Sequence, residues 1–253
     1  MINLSKYHNI HKDKTIFVLG NSEELNSITE DQLYKLENDY ITVGTNYSHM
    51  VVRSDYLITG HMSHVLYARE FGNIDKILFQ TKASNPVWDS EPLVDTIPCS
   101  EGGVVTRTPT TVIGCANIGI SSAHLAFILG GSRVVFVGFN QKNLLHFYDT
   151  DPEHKEALLS NIDTLKGKYK GDFPGALFAD YDSHISHMQP GPESLTKSPW
   201  TSRSGNPNNT VIITSIVTAM KDADVEVLST CEESVMVDGG AIYRSLDDII
   251  GST

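Results

Sequence analysis

Short runs of apolar and β-branched residues alternate along the chain with polar segments of helical length. The clearest apolar runs cover residues 15–19, 40–44, 55–59, 76–80, 133–137 and 225–229. Strands that alternate with helix-length segments are typical of a mostly parallel sheet with its crossovers on the faces. The pattern therefore predicts an α/β protein with a mostly parallel sheet and helices on both faces.

The helices are predicted from apolar positions spaced three and four apart. Residues 27–38 place Ile28, Leu33 and Leu36 on one side, and further helices are expected near 152–167, 209–221 and 245–250. Residues 117–129 combine small and bulky side chains, which predicts a buried helix packed closely on the sheet. Gly130 and Gly131 are expected to end that helix.

Two stretches depart from the alternation. Residues 81–111 are rich in Pro, Ser and Asp, and we expect an excursion near the site or an irregular edge. Residues 141–207 are mostly polar and contain scattered aromatic residues and histidines, which is typical of a functional lid. No internal repeat or linker divides the chain, so we predict one domain over residues 1–253 with a lid-like insertion at about 141–207.

Composition narrows the function. The 253 residues carry a formal net charge of −12, which argues against a broad nucleic-acid surface or an anionic membrane surface. Three widely spaced cysteines favour reduced thiols. No apolar run is long enough to span a bilayer, and the N-terminal residues lack a signal-peptide core. A cytoplasmic protein is expected.

Several predicted strands end in similar turns. These turns are Gly20-Asn21-Ser22, Gly44-Thr45-Asn46, Gly60-His61 and Gly138-Phe139-Asn140. The carboxyl ends of parallel strands share one edge, so we expect the turns to converge on one crevice. Neutral amides read bases, riboses and sugars by hydrogen bonding. The first turn has no G-x-G-x-x-G pattern, which disfavours NAD and FAD sites. The chain also contains no P-loop and no G-x-S-x-G nucleophile elbow.

The start of the predicted buried helix is a second candidate for binding. Asn117, Gly119, Ser121 and Ser122 lie there, and backbone donors at a helix start favour a phosphate or carboxylate. Close helix packing explains the two serines equally well.

The insertion carries the candidates for acid–base chemistry, which are His146, Tyr148, His184 and His187. Histidine titrates near neutrality and suits a base that deprotonates an acceptor hydroxyl. A second interpretation takes Asp180, Asp182, His184 and His187 as ligands of a divalent cation, although their spacing matches no zinc motif. A third is a surface loop without metal.

With these residues in view, the chain resembles the bacterial sialyltransferases of glycosyltransferase family 42 and the related motility-accessory-factor-like proteins of phages and surface-polysaccharide loci. The resemblance rests on IFVLGNSEEL, ITVGTN, NIGISSAHLAFILGG followed by VVFVGFN, HFYDTD, SHISH and VEVLSTCEES, in that order. It implies a Rossmann-like sheet with a lid, a CMP-activated sugar donor, a hydroxyl or glycan acceptor, and no required cofactor or metal. A homo-oligomer is compatible with it.

The resemblance also implies roles for residues. Asn21 and Asn46 would contact the nucleotide, His146 matches a phosphate-contacting tyrosine, and His187 matches the catalytic base. The expected catalytic residues are His187, His146 and His184. The expected nucleotide- or donor-binding residues are Gly20, Asn21, Ser22, Thr45, Asn46, Gly60, Asn117, Gly119, Gly138, Asn140 and Tyr148.

Some positions differ from that family. Glu23 and Glu24 would oppose an anionic ligand unless they point outward. Arg107 or Lys142 would replace an arginine that the family carries near Cys115.

Three functions follow from the sequence. The first is a metal-independent, sialyltransferase-like glycosyltransferase. The second is a pyrophosphokinase-like enzyme that uses ATP and magnesium, in which Asp180 and Asp182 become important. The third is a catalytically inactive nucleotide- or sugar-binding module. It is favoured by Asn140, which stands where the family usually has an aspartate, and by Lys142, which replaces a tyrosine of the family's phosphate-binding pair.

Overall fold

The computed structural model describes residues 3–81, 91–114, 117–140, 146–169 and 207–251, and of residues 207–209 it describes the backbone. Nine strands of these ranges form one sheet. They are β1 Thr15–Leu19, β2 Ile41–Thr45, β3 Ser54–Thr59, β4 Ile74–Thr81, β5 Val94–Ser100, β6 Val112–Ile113, β7 Arg133–Val137, β8 Glu226–Ser229 and β9 Ile242–Tyr243. The order is β6-β5-β4-β3-β2-β1-β7-β8-β9, and every pairing is parallel.

The helices are α1 Glu30–Asp39, α2 Met62–Phe71, α3 Ile118–Leu129, α4 Phe147–Thr150, α5 Pro152–Lys168, α6 Pro207–Asp222, α7 Val235–Asp238 and α8 Leu246–Ile250. Short 3-10 helices cover Leu4–Tyr7, Glu23–Ser27 and Ser48–Met50. Helices lie on both faces of the sheet, so the predicted Rossmann-like α/β fold is confirmed.

Alternating strand residues supply two separate cores. Phe17 and Val135 face α1, α2, α5 and α8 on one side of the sheet. Ile16 and Val134 face α3 and α6 on the other side. Strands covered on both faces are expected to be almost wholly apolar, which is why the first strand and β7 were visible in the sequence.

The stretch after β4 is more regular than predicted. Residues 81–111 were expected to form an excursion or an irregular edge, yet they contain β5, which extends the sheet beside β4. Asp95 and Pro98 interrupt the apolar run and hide the strand in the sequence. Proline is tolerated here because β5 lies one strand from the sheet edge and pairs only briefly with β6.

The buried helix predicted before β7 is confirmed as α3. Its residues Gly119 to Leu129 are all buried. Gly130 follows in the left-handed region with φ +92°, where glycine ends a helix without steric cost. The helix predicted near 152–167 is α5, which Asp151 caps by accepting from two backbone N–H groups. Its Leu158 and Ile162 are fully buried in the core, so α5 belongs to the layer that covers the sheet.

The expectation of three reduced thiols is wrong for Cys99, which is disulfide-bonded, whereas Cys231 carries a thiol that forms no disulfide. Distance along the sequence does not determine distance in a fold whose neighbouring strands come from remote segments. Across the part of the chain that the structure describes, we find no helix with the length and apolarity needed to cross a membrane.

Candidate functional site

The strand order reverses between β1 and β7, which is where an open parallel sheet forms its ligand crevice. The turns after these strands touch through their backbones. Gly20 N–H donates to Val137 O over 2.8 Å, and Ser22 N–H donates to Gly138 O over 3.1 Å. A Cβ on Gly20 would lie 2.7 Å from the carbonyl carbon of Gly138, and Gly138 itself has φ +73°. Both positions therefore require glycine, and together they form the crevice floor.

The side-chain amide of Asn21 joins the ends of β1 and β2. Its Nδ2 donates to Thr45 Oγ1 over 2.9 Å, and its Oδ1 accepts from Tyr47 N–H over 3.3 Å. The hydroxyl of Thr45 donates in turn to Leu19 O. An amide has two N–H donors and two acceptor lone pairs, and these contacts use one of each. Thr45 is buried and holds Asn21 in place.

Asn46 ends the next turn in the left-handed region, with φ +47°, which asparagine tolerates better than most residues. Its Oδ1 accepts from Thr59 Oγ1 over 3.3 Å, and Thr59 Oγ1 lies 3.1 Å from His64 Nδ1. A hydroxyl has one hydrogen, so His64 Nδ1 donates whenever Thr59 donates to Asn46. The turns after β2 and β3 are thus linked, and Gly60 lies exposed at the second.

Glu24 is turned into the crevice floor. Its Oε2 accepts from Gly138 N–H over 3.0 Å, and its Oε1 accepts from the hydroxyl of Thr230, which follows β8. Burial raises the pKa of Glu24, and these two hydrogen bonds oppose that rise. Its carboxylate therefore links the turns after β1, β7 and β8. It does not point outward, which was the condition for Glu24 not to oppose an anionic ligand.

His146 is fixed beside the turn after β1. Ser22 and His146 form an antiparallel bridge, and Phe147 N–H donates to Asn21 O over 3.0 Å. The His146 side chain is 48% exposed, and its ring stacks on Tyr148 with centroids 4.9 Å apart. Tyr148 is buried, and burial raises the pKa of its hydroxyl. Tyr148 therefore supports the ring of His146 from the protein interior.

Ser22 carries an unusual hydroxyl for its position. Its Oγ is buried and has no hydrogen-bond partner among the described residues. An unsatisfied buried polar atom lowers stability unless a bound group supplies the missing bond. This hydroxyl is therefore a candidate for contact with a ligand.

The start of α3 is already capped from within the chain. The Oδ1 of Asn117 accepts from Gly119 N–H over 3.0 Å and from Ile120 N–H over 3.4 Å. The hydroxyls of Ser121 and Ser122 donate to carbonyl oxygens of the same segment. A phosphate that used these backbone donors would have to displace Asn117.

Sequence reasoning missed a cluster of buried rings behind the crevice. Tyr47 lies at its centre, with ring centroids 4.5 Å from His64, 5.1 Å from Tyr67 and 6.0 Å from Tyr148. The ring of His49 lies 5.7 Å from Tyr67, and burial lowers the pKa of His49 to about 4, against a smaller opposing effect of the Asn46 backbone. The spacing of His64 and Tyr67 on one side of α2 was the available signal.

Of the other predicted residues that the structure describes, Arg107 is not brought to this edge, whereas Asn140 is. Arg107 packs over the ring of Phe127, ten residues along α3 from Asn117, or about 15 Å at the helical rise. Asn140 is half-buried in the turn after β7. The remaining candidates are outside the described residues: His184, His187, Asp180, Asp182, Lys142 and Cys115. Among the residues that are described, no group of three or more His, Cys, Asp or Glu side chains is suited to hold a metal ion.

Comparison with known proteins shows a distant structural similarity. No protein-family model matches the chain, and no curated protein matches it. Among solved structures, the chain is similar to the sialyltransferase CST-II, a substituted form crystallised in complex with CMP. The TM-score is 0.46 with 11% sequence identity, over 92% of this chain and 88% of that chain.

Proposed function

We propose that the chain is a glycosyltransferase that moves a sugar from a nucleotide-activated, CMP-linked donor to an acceptor hydroxyl without a metal ion. The observation that carries the proposal is the backbone bonding that sets His146 beside Asn21 and Ser22 where the strand order reverses. That place combines an amide, a buried hydroxyl and an imidazole above a floor of glycines. Such a polar, close-approach crevice suits a nucleotide.

The two asparagines are assigned to the nucleoside. Asn21 and Asn46 follow neighbouring strands, and each is held by a side-chain hydrogen bond to a threonine. A held amide loses little conformational entropy when it binds a base or ribose. Amides also provide donors and acceptors without adding charge to a chain of net charge −12.

His146 and Ser22 are assigned to the donor phosphate. The imidazolium form of histidine provides a charged donor, and the Ser22 hydroxyl can donate a neutral hydrogen bond. Glu24 is bonded to Gly138 and Thr230, which keeps its carboxylate in the floor of the crevice. The two donors, His146 and Ser22, support stabilisation of a departing nucleotide phosphate, whereas the Glu24 carboxylate in the floor opposes it.

In the proposed reaction the bond between the anomeric carbon and the phosphate oxygen breaks, and its electron pair leaves with the nucleotide. The acceptor oxygen forms a new bond to the anomeric carbon and gives its proton to a base. We assign that base to His187 on the sequence resemblance, since His187 is outside the described residues. His146 acts at the opposite end of the broken bond, at the phosphate.

The test is nucleotide release from CMP-, UDP- and GDP-activated sugars in the presence of EDTA, measured by chromatography. We expect release of CMP from the CMP-linked donor and no release from the other donors, because the proposed reaction is specific for a cytidine nucleotide. EDTA should not prevent release, because the proposed reaction uses no metal ion. His146→Gln is expected to slow release about 10–100-fold through loss of a charged hydrogen bond. The control is His154→Gln. His154 lies on α5, and its ring packs against Phe147 with centroids 5.3 Å apart.

Absence of release from every donor would overturn the proposal. Consumption of ATP with magnesium, combined with no release from the sugar donors, would favour the pyrophosphokinase alternative.

A further inference from the structure

His146 and Asp149 form a hydrogen-bonded pair. His146 Nδ1 lies 3.1 Å from Asp149 Oδ2, and the same oxygen accepts from His146 backbone N–H over 2.9 Å. Asp149 is 21% exposed and His146 48% exposed, so the carboxylate is the inner member of the pair. Together, the contact with the ring nitrogen and the contact with the backbone N–H hold the carboxylate and the ring in one arrangement.

This contact determines which ring nitrogen carries the proton. An ionised carboxylate can only accept, so Nδ1 of His146 must be the donor. In the neutral ring Nε2 is then an acceptor, and in the protonated ring Nε2 becomes a donor. The parallel ring of Tyr148, inclined by only 6°, fixes the plane of the imidazole as well.

The surrounding charges favour an ionised carboxylate. Burial opposes ionisation of Asp149, but the hydrogen bonds from His146 outweigh it and hold the pKa of Asp149 below its ordinary value, with a further contribution from Lys155. Other charged groups near this segment are Asp151 and His154 on α5, which pair with each other over 3.2 Å. Glu23 and Glu24 follow Ser22 on the neighbouring turn, and Glu24 is bonded within the floor.

We propose that Asp149 is a positioning residue: it accepts from Nδ1 of His146 and so leaves Nε2 as the ring nitrogen that faces the donor phosphate, where the protonated ring can donate. The inference rests on the proposed function and adds a pH dependence to it. Affinity for the nucleotide should fall as pH rises through the range in which histidine loses its proton. No proton has to be transferred, since a hydrogen bond from the imidazolium is sufficient.

The first experiment uses the ligand-free protein. Long-range ¹⁵N–¹H NMR of the histidine rings reports which nitrogen is protonated at high pH. We expect the Nδ1–H tautomer for His146 in the wild type and in Asp149→Asn, because the amide oxygen of asparagine can still accept. Asp149→Ala should lose that preference. An unchanged tautomer in Asp149→Ala would overturn the inference whatever the protein binds.

The second experiment measures CMP affinity by calorimetry from pH 5.5 to 8, with His146→Gln supplying the baseline for titration of the ligand itself. Asp149→Asn should bind CMP about 10-fold more weakly than wild type at pH 7.5 and nearly equally at pH 5.5, because the imidazolium loses its carboxylate partner. Asp151→Asn is the matched control, since Asp151 also caps a helix and pairs with a histidine, and its profile should follow the wild type.

The outcomes separate the two claims. An Asp149→Asn profile parallel to the wild type would overturn the positioning role while leaving CMP binding intact. Absence of CMP binding to the wild type, with the Nδ1–H tautomer present, would overturn the proposed function and with it the phosphate contact of His146.

Discussion

At the scale of single residues, Gly20 shows how closely the site is built. A methyl group there would meet the carbonyl of Gly138, with 2.7 Å to its carbon, and neither turn can retreat without breaking the hydrogen bonds between them. We expect Gly20→Ala to lower the free energy of unfolding by about 2–3 kcal/mol, as overpacking does in a rigid interior. Urea unfolding followed by circular dichroism measures the change.

Gly167→Ala serves as the control for that substitution. Gly167 is exposed near the end of α5, and a Cβ there meets nothing within 4 Å. Alanine should therefore raise the free energy of unfolding by about 0.5 kcal/mol, since it has the better helix propensity. Equal effects of the two substitutions would contradict the close contact at Gly20.

His49 provides a prediction for pH dependence. It is buried beside Tyr67, and burial lowers its pKa from 6.5 to about 4, against a smaller opposing effect of the Asn46 backbone. In the unfolded chain His49 binds a proton below about pH 6.5, whereas in the folded chain it binds one only below about pH 4. The free energy of unfolding therefore decreases as pH falls from 6.5 to about 4. The loss assigned to His49 amounts to up to about 3 kcal/mol.

The measurement compares urea unfolding of wild type and His49→Phe at several values between pH 7 and pH 4.5. The variant should lose less stability than the wild type on acidification, because phenylalanine binds no proton. His8→Phe is the control, since His8 lies in a partly exposed segment. Parallel pH profiles for wild type and His49→Phe would contradict the burial of a neutral imidazole.

At the scale of elements, the N-terminal segment is held to β5 by a charged cluster. Asp95 accepts from Lys6 Nζ and from the Tyr7 hydroxyl, and Lys76 Nζ lies 3.4 Å away. Burial opposes ionisation of Asp95, but these partners outweigh it and lower its pKa below 3.8. A carboxyl with a lowered folded pKa stabilises the protein above its unfolded pKa and loses that effect as pH falls.

Asp95→Asn should therefore destabilise the protein at pH 7, and the difference from wild type should shrink below about pH 4 as Asp95 itself becomes protonated. Unfolding in urea at pH 7 and pH 3.5 tests this. Asp31→Asn is the control, because Asp31 is 78% exposed and pairs only with Lys35 on the same helix. A difference at pH 7 no larger than that of Asp31→Asn would show that the cluster adds nothing.

The strands that were predicted correctly are those whose burial on both faces of the sheet requires a continuous apolar run. Ile16 to Leu19 and Val134 to Val137 are such runs, and both are central strands. β5, β6 and β9 escaped prediction, and β6 was too short to detect because it has only two residues. β5 contains Pro98 and charged Asp95, while β9 has only two residues, both exposed. Edge strands pack on fewer neighbours, so their sequences carry a weaker pattern.

The site was predictable in part. The repeated Gly-Asn turns indicated a shared edge, and Asn21, Asn46 and Gly138 do follow β1, β2 and β7, which are neighbours in the sheet. The side-chain partners were not predictable, because the bond from Asn21 to Thr45 depends on the pairing of β1 with β2. The role of Asn117 as a helix cap was visible locally, since asparagine before an apolar helix is a common cap.

At the scale of the whole molecule, the strand order is what gathers the site. β2 to β6 extend to one side of β1, and the chain then returns to place β7 on the other side. No local sequence signal encodes that return, which spans the crossover through α3. The molecule has a second cleft at the opposite edge of the sheet, lined by Arg133, Glu226 and Arg244, where β7 and β8 begin. Its two arginines are accompanied by the carboxylates of Glu226 and Asp248, and Arg133 pairs with Glu226, so this cleft provides a reference position for testing where the nucleotide binds.

The most direct measurement is an NMR titration of ¹⁵N-labelled protein with CMP in the presence of EDTA. If the nucleotide binds at the carboxyl edge of the sheet, backbone amides of residues 20–22, 45–46, 138–140 and 146–149 should show saturable shifts. Shifts that cluster around Arg133 and Arg244, or no saturable shift at all, would contradict the assignment of the nucleotide site.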